Sequence, residues 1–196
     1  MKKSIVVILA IVAVIAIIFL WYKGVYNSLV QADEQVSAQW GNVENQYQRR
    51  ADLVPNLVAT VKGYAEHEQS TLQGVVEARA KATSVNIDPT HLNEQTMAQF
   101  QQAQGELSSA LSRLLVSVEA YPDLKANQNF LDLQAQLEGT ENRIATERTR
   151  FNEVAQTYNT LVRKFPNNII AAISNFAQKP YFKAEAGAEK APEVKF

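Results

Sequence analysis

The chain has 196 residues, with 19 Lys and Arg against 20 Asp and Glu, and no cysteine. That length suits one domain with a sizeable core, and the lack of cysteine excludes disulfides, thiolate metal sites and thiol catalysis. Setting aside Lys2, Lys3 and Lys23, which flank an N-terminal apolar run, 16 basic residues face all 20 acidic ones, a balance of −4. Such a balance offers no basic surface for nucleic acid and does not draw a domain flat onto anionic lipid.

The first element is the apolar run. Residues 5–22 (IVVILAIVAVIAIIFLWY) are 18 residues without a charge. At ~1.5 Å per residue they would extend roughly 27 Å as a helix, close to the hydrocarbon thickness of a bilayer. A cleaved secretion signal would have a shorter apolar core and small residues at its end. Here the run closes on Phe19-Leu20-Trp21-Tyr22-Lys23. Trp21, Tyr22 and Lys23 suit the membrane–water interface. Residues 1–23 are therefore expected to be a cytoplasmic start and a single uncleaved anchor, with the lipid bilayer as partner. Lys2 and Lys3 before the anchor outweigh Lys23 behind it, with Asp33 and Glu34 following. The positive-inside rule then places the N-terminus in the cytoplasm and the bulk of the chain outside.

The second element is a long 3-4 repeat running through Val36, Trp40, Val43, Tyr47, Arg50, Val54, Leu57, Val61, Tyr64, Glu68, Thr71, Val75, Ala78 and Ala82. The spacing is that of a bundle seam. Arg50 and Glu68 interrupt it with charge, and Pro55 sits within it. The pattern predicts one continuous helix from Gly24 to about Lys81, kinked at Pro55, where the carbonyl of Ala51 loses its donor. The Asn56 side chain, or an Arg or Gln of a neighbouring subunit, is expected to supply the replacement. A polar seam residue commonly fixes register, so Arg50 and Glu68 are expected to pair with charges on neighbouring helices such as Glu147.

"TSVNIDPT" (residues 83–90) ends this helix. A second helix is expected over residues 89–120, with a stripe of Leu92, Thr96, Phe100, Ala103, Leu107, Ala110, Leu114 and Val118. After a break at Pro122, a third carries Phe130, Leu133, Leu137, Thr140, Ile144, Glu147, Phe151, Val154, Tyr158, Leu161 and Phe165. Pro166 stops it, Asn167 caps a short fourth helix, and residues 183–196 read as a flexible tail. The class is all-α: a transmembrane helix, then a long kinked helix in an antiparallel three- or four-helix bundle over residues 24–182.

The second helix, laid against the first, would reach back only to about Leu53. Val36, Trp40, Val43 and Tyr47 would then stand bare on a stalk, and other subunits are expected to cover them. The expected state is a homo-oligomer.

Three segments carry a family resemblance. "YNSLVQADEQVSAQWGNVENQYQRRADLVPNLVATVKGYAEHE", "LEGTENRIATERTRFNEVAQTYN" and "FPNNIIAAISNFAQKPYF" together resemble the LemA family. The resemblance implies a single-pass, N-anchored protein of the bacterial envelope, in the inner membrane, with a helical bundle and no established enzymatic activity. It also implies membrane metallopeptidases and TPM-domain proteins as partner candidates.

Catalytic and metal chemistry find little support in the residues. A bundle di-iron site needs inward Glu residues and paired Glu-x-x-His elements. The two histidines, His67 and His91, do not provide them, and both read as surface residues. His-Glu-x-x-His, Gly-x-Ser-x-Gly and phosphate-binding glycine loops are absent. Gly41, Gly63, Gly74, Gly105 and Gly139 are isolated in helical segments and are read as points of close helix approach. No catalytic residue, cofactor or metal is expected. The function expected is structural: a non-enzymatic, membrane-anchored bundle that self-assembles at the membrane surface. An accessory or adaptor subunit of a membrane protease or other envelope enzyme is the alternative.

Overall fold

The structure is a computed structural model that describes residues 2–64 and 68–183. The expectations for His67 and for the tail beyond Lys183 lie outside the described residues. Among those described, the regular structure is entirely helical. It comprises α1 (Lys2–Lys62), α2 (Gln69–Ser84), a 3-10 turn (Pro89–His91), α3 (Glu94–Val118), α4 (Pro122–Lys125), α5 (Gln128–Arg163) and α6 (Asn167–Ile173). An irregular strap over residues 176–183 follows.

The all-α class holds, as does the order of a long apolar N-terminal helix followed by a helical bundle. The apolar run and the first bundle helix are one unbroken helix, α1. The expected continuation to Lys81 does not hold. The chain reverses after Gly63-Tyr64, and α2 returns antiparallel along α1, with Arg79 beside Ala51. The 3-4 repeat ran on through this reversal because Leu72, Val75 and Ala82 of α2 have helical spacing of their own and are buried. Periodicity reports which face of a helix is apolar, not which way the chain then travels.

The reversal also removes the bare stalk. Helix α5 is 36 residues long and runs antiparallel to α1. Its pairing is marked by Gln39 with Glu147, Arg50 with Glu141 and Tyr64 with Asn127. Val36, Trp40, Val43 and Tyr47 are buried inside the single chain, with Trp40 fully inaccessible. Burying each large apolar side chain stabilises by about 1.5–3 kcal/mol, and the monomer already realises that gain. The inference that other subunits must cover these four residues is thereby corrected.

The core has two clusters. The lower one joins Leu29 to Tyr47 on α1 with Phe100, Phe151, Tyr158, Ile170 and Phe182. The upper one joins Val54, Leu57 and Val61 with Leu72, Leu107, Leu114, Phe130 and Leu137. Trp40 anchors the lower cluster. Its ring meets Phe100 and Phe151 edge-on at 5.1 and 5.6 Å and stacks on Phe182 at 5.9 Å. Such aromatic pairs add about 0.5–1.5 kcal/mol beyond area burial.

Helix ends follow side-chain chemistry. Asn93 and Thr96 form a reciprocal capping box at the start of α3, so that helix begins at Glu94, five residues later than expected. Asp88 caps only the 3-10 turn before it. Asn127 caps α5 through the Phe130 amide. Asn167 is the first helical residue of α6 and not its cap, a place held by Pro166. Helix α6 ends in a Schellman motif. Asn175 takes a left-handed conformation (φ 59°), and the Phe176 and Asn175 amides donate to Ala171 and Ala172. The glycine expectation fails. A Cβ at Gly41, Gly74, Gly105 or Gly139 would meet no atom within 4 Å. These glycines do not mark close helix contacts.

A buried arginine layer as candidate functional site

Between the two clusters lies one polar layer, centred on Arg50. Its side chain is 2% exposed. Nη1 donates to Ser108 Oγ and Glu141 Oε1, both at 2.7 Å. Nη2 donates to Gln104 Oε1 at 2.7 Å and to the Gln104 carbonyl at 3.1 Å. Gln104 Nε2 donates onward to the Ala82 carbonyl at 3.3 Å. One guanidinium therefore ties α1, α3 and α5 together, and through Gln104 it reaches α2. Its Cζ lies 5.1 Å from the Tyr47 ring centre, and Nε is buried without a hydrogen bond. Arg serves here because its planar fork directs several donors at once, which Lys cannot do.

Arg50 thus faces neighbouring helices as expected, but its carboxylate is Glu141 and not Glu147. Glu147 accepts from Gln39 at 2.7 Å and from Arg150 at 2.8 Å. Glu68 stands at the head of α2, where it accepts from Thr71 and from the Tyr121 hydroxyl, both at 3.2 Å. It lies toward the far end of the bundle, makes no capping hydrogen bond to α2 and does not share the Arg50 layer. Pro55 lies inside α1 with Asn56 beside it, both exposed. The Ala51 carbonyl does find a replacement donor: Arg79 Nε of α2, at 2.7 Å. Neither Asn56 nor a second subunit is needed. Trp21 and Tyr22 are 40% and 38% exposed, less than the apolar side chains before them, and Tyr22 stacks on Tyr26.

Beside Arg50 is a cavity of about 60 Å³, lined by Gln101, Ser108, Glu141 and Arg148 among others. That is room for water and far below the ~300 Å³ at which small-molecule pockets begin. On the α1–α2 side a surface cleft of about 330 Å³ is lined by Glu44, Asn45, Asn86, Phe100 and Gln104. Burial pushes the Glu44 carboxyl above its usual range, and the Trp40 indole N–H partly offsets this. That N–H falls short of a full hydrogen bond. His91 is exposed and paired with Asp88, whose carboxyl is held down to about 2 by the Thr90 hydroxyl first and then by His91. Among the described residues, no group of three or more His, Asp or Glu could hold a metal.

A second polar construction was not read from the sequence. The segment "QKPYF" (residues 178–182) lies within the strap. Asn159 Nδ2 donates to the Lys179 carbonyl and its Oδ1 accepts from the Lys179 amide, both at 2.8 Å. Asn152, seven residues earlier on α5, does the same for Phe182, at 3.0 and 2.8 Å. Lys179 is buried, with Nζ 2.8 Å from Asp33 Oδ1 in an ion pair whose angle makes no hydrogen bond. Burial first, and the Asp33 charge second, hold the Tyr158 hydroxyl above its usual range, while it donates to the Ala177 carbonyl at 2.9 Å. The heptad spacing of Asn152 and Asn159 on an otherwise apolar face was the available signal.

The fold and its polar layer define a class: an up-down-up-down helical bundle built directly onto a helix long and apolar enough to cross a membrane. The LemA family model matches residues 39–196, and the chain belongs to the LemA family. It is 30% identical over 193 residues to magnetosome protein MamQ 2 of Paramagnetospirillum magneticum, covering 90% of this chain and 70% of that one. It is 29% identical over 174 residues to magnetosome protein MamQ of Magnetospirillum gryphiswaldense, covering 80% and 64%. Protein LemA of Metamycoplasma hominis is 23% identical over 164 residues, covering 84% and 71%.

Proposed function

We propose that this protein is a non-enzymatic, single-pass structural element of the bacterial inner membrane, with its N-terminus in the cytoplasm and its bundle on the other side. The observation that carries the reading is the closure of the Arg50 layer. Its charge is 2% exposed and both Nη atoms are turned to protein acceptors, beside a cavity too small for a substrate. That arrangement supports a role in fixing helix register over one in chemistry. Self-assembly belongs to the same reading, but Val36, Trp40, Val43 and Tyr47 cannot mediate it. It must use surface that the monomer leaves exposed.

The test is the particle mass of the full chain in lipid nanodiscs, with and without crosslinking. A uniform homo-assembly supports the structural reading. A strict monomer that crosslinks in membranes to a protease or other enzyme would replace it with the adaptor role. Protection of the C-terminus from protease in sealed inverted vesicles is expected for this orientation, and cleavage there would reverse it.

A further inference from the structure

We propose that α6 and the turn leading into it form a second membrane contact, with Phe165, Ile169 and Ile173 seated in the headgroup region of the bilayer. The proposal rests on reading residues 5–22 as the anchor. Helix α6 is two-faced. Ile170 and Ala171 are 2% exposed against the bundle, whereas Phe165, Ile169 and Ile173 are 76%, 49% and 73% exposed. Three large apolar side chains so close together on an outer surface call for a cover.

The position of α6 says what that cover is. Gln39 pairs with Glu147, and sixteen residues further toward the anchor on each helix brings Lys23 level with Arg163. Phe165 follows directly. Phe176, just after α6, meets Tyr26 edge-on at 5.7 Å, and Tyr26 stacks on Tyr22, the last residue of the apolar run. Four helical residues separate those tyrosines, a rise of roughly 6 Å. An amphipathic element at that height reaches the ~5–10 Å boundary zone where interfacial helices lie.

Charge points to the same occupant. No Asp or Glu occurs in residues 4–32 or in residues 154–183. Lys23, Arg163 and Lys164 lie at this end, while Asp33, the nearest acid on α1, is neutralised by Lys179. A basic, acid-free rim around an apolar face matches a lipid surface with anionic headgroups.

Because the chain has no cysteine, single labels can be placed without background. Spin labels at Ile173→Cys, Phe165→Cys, Val116→Cys and Val12→Cys would be compared in full-length protein. The probes are nanodiscs of phosphatidylcholine with one quarter phosphatidylglycerol. At 173 and 165, collision with a water-soluble nickel chelate should be several-fold lower than at 116, and collision with oxygen higher. Val12→Cys should be the most deeply shielded. If 173 and 165 behave like 116 while 12 is shielded, the anchor stands and the second contact is refuted. If 12 is also water-exposed, the anchor reading itself fails. Dipolar broadening at 173 between copies, without lipid shielding, would assign the face to a second chain and overturn the proposal.

Discussion

At Arg50 two features of opposite cost meet: a fully buried cation and a nearly complete set of acceptors. Its carboxylate partner, Glu141, is 45% exposed, so the Coulomb part is screened by water and contributes little. The larger share lies in the buried bonds to Gln104. Arg50→Ala strands the Gln104 acceptors and opens space, and should cost about 2–4 kcal/mol. Glu141→Gln keeps an acceptor in place and should cost less than ~1 kcal/mol. Denaturant melts of the full chain in detergent would show the asymmetry; equal losses would mean the ion pair, not the Gln104 contacts, holds the layer. Glu44 gives a pH signature. Its folded-state carboxyl titrates above the usual 4.5, because burial disfavours the charge. The folded protein therefore holds more protons than the unfolded chain just above that value. This group's contribution to stability falls as pH rises through its folded-state pKa. The stability of Glu44→Gln relative to the native chain should thus grow between about pH 4 and pH 7. A difference in melting temperature that stays flat across that range would contradict it.

The elements show a division between what sequence patterns carry and what they do not. Helices α3 and α5 lie close to where their apolar stripes put them, because burial of one face dictates helical spacing. Arg50 was visible for the same reason: a charge in an apolar seam. Glu141 and Gln104 were not, since each sits one residue off its helix's stripe, next to Thr140 and Ala103. The reversal after Lys62 was hidden by continued spacing. The strap was hidden because a segment held by backbone bonds to asparagines needs no periodicity. Those asparagines make a sharp prediction. Asn159 is buried and both ends of its amide hold Lys179, so Asn159→Ala should cost about 2–3 kcal/mol. It should also release Phe182 from Trp40. The emission of Trp40 should shift to the red, and trypsin should cut at Lys183 faster. Asn152→Ala, at a half-buried position, should do the same to a lesser degree. Unchanged emission and cleavage in Asn159→Ala would mean the aromatic stack alone holds the strap.

At the scale of the molecule, the decisive fact is that α1 runs without interruption from the apolar segment to the far end of the bundle. A helix entering a bilayer and continuing into a packed bundle passes its tilt on to that bundle, because there is no loop at which to bend. From Lys23 to Lys62, at ~1.5 Å per residue, the bundle should rise roughly 60 Å above the surface. The lack of Asp and Glu in residues 4–32 and 154–183 agrees with an upright stance in which that end is turned to lipid, as proposed above. Glu119, beside the α3–α4 turn, is exposed and near the top. A donor dye at Glu119→Cys, measured against acceptor dyes on lipid headgroups in nanodiscs, should transfer energy weakly, as expected for a separation of roughly 60 Å. A bundle lying along the membrane would bring the same dye within a helix diameter or two and give strong transfer. Inserting a short Gly-Ser segment after Lys23 provides the internal control. It breaks the mechanical link without touching the bundle core, so the transfer should rise and become heterogeneous. If the native chain already shows that heterogeneity, the continuous helix does not set the stance, and the base contacts made by α6 would have to do so alone.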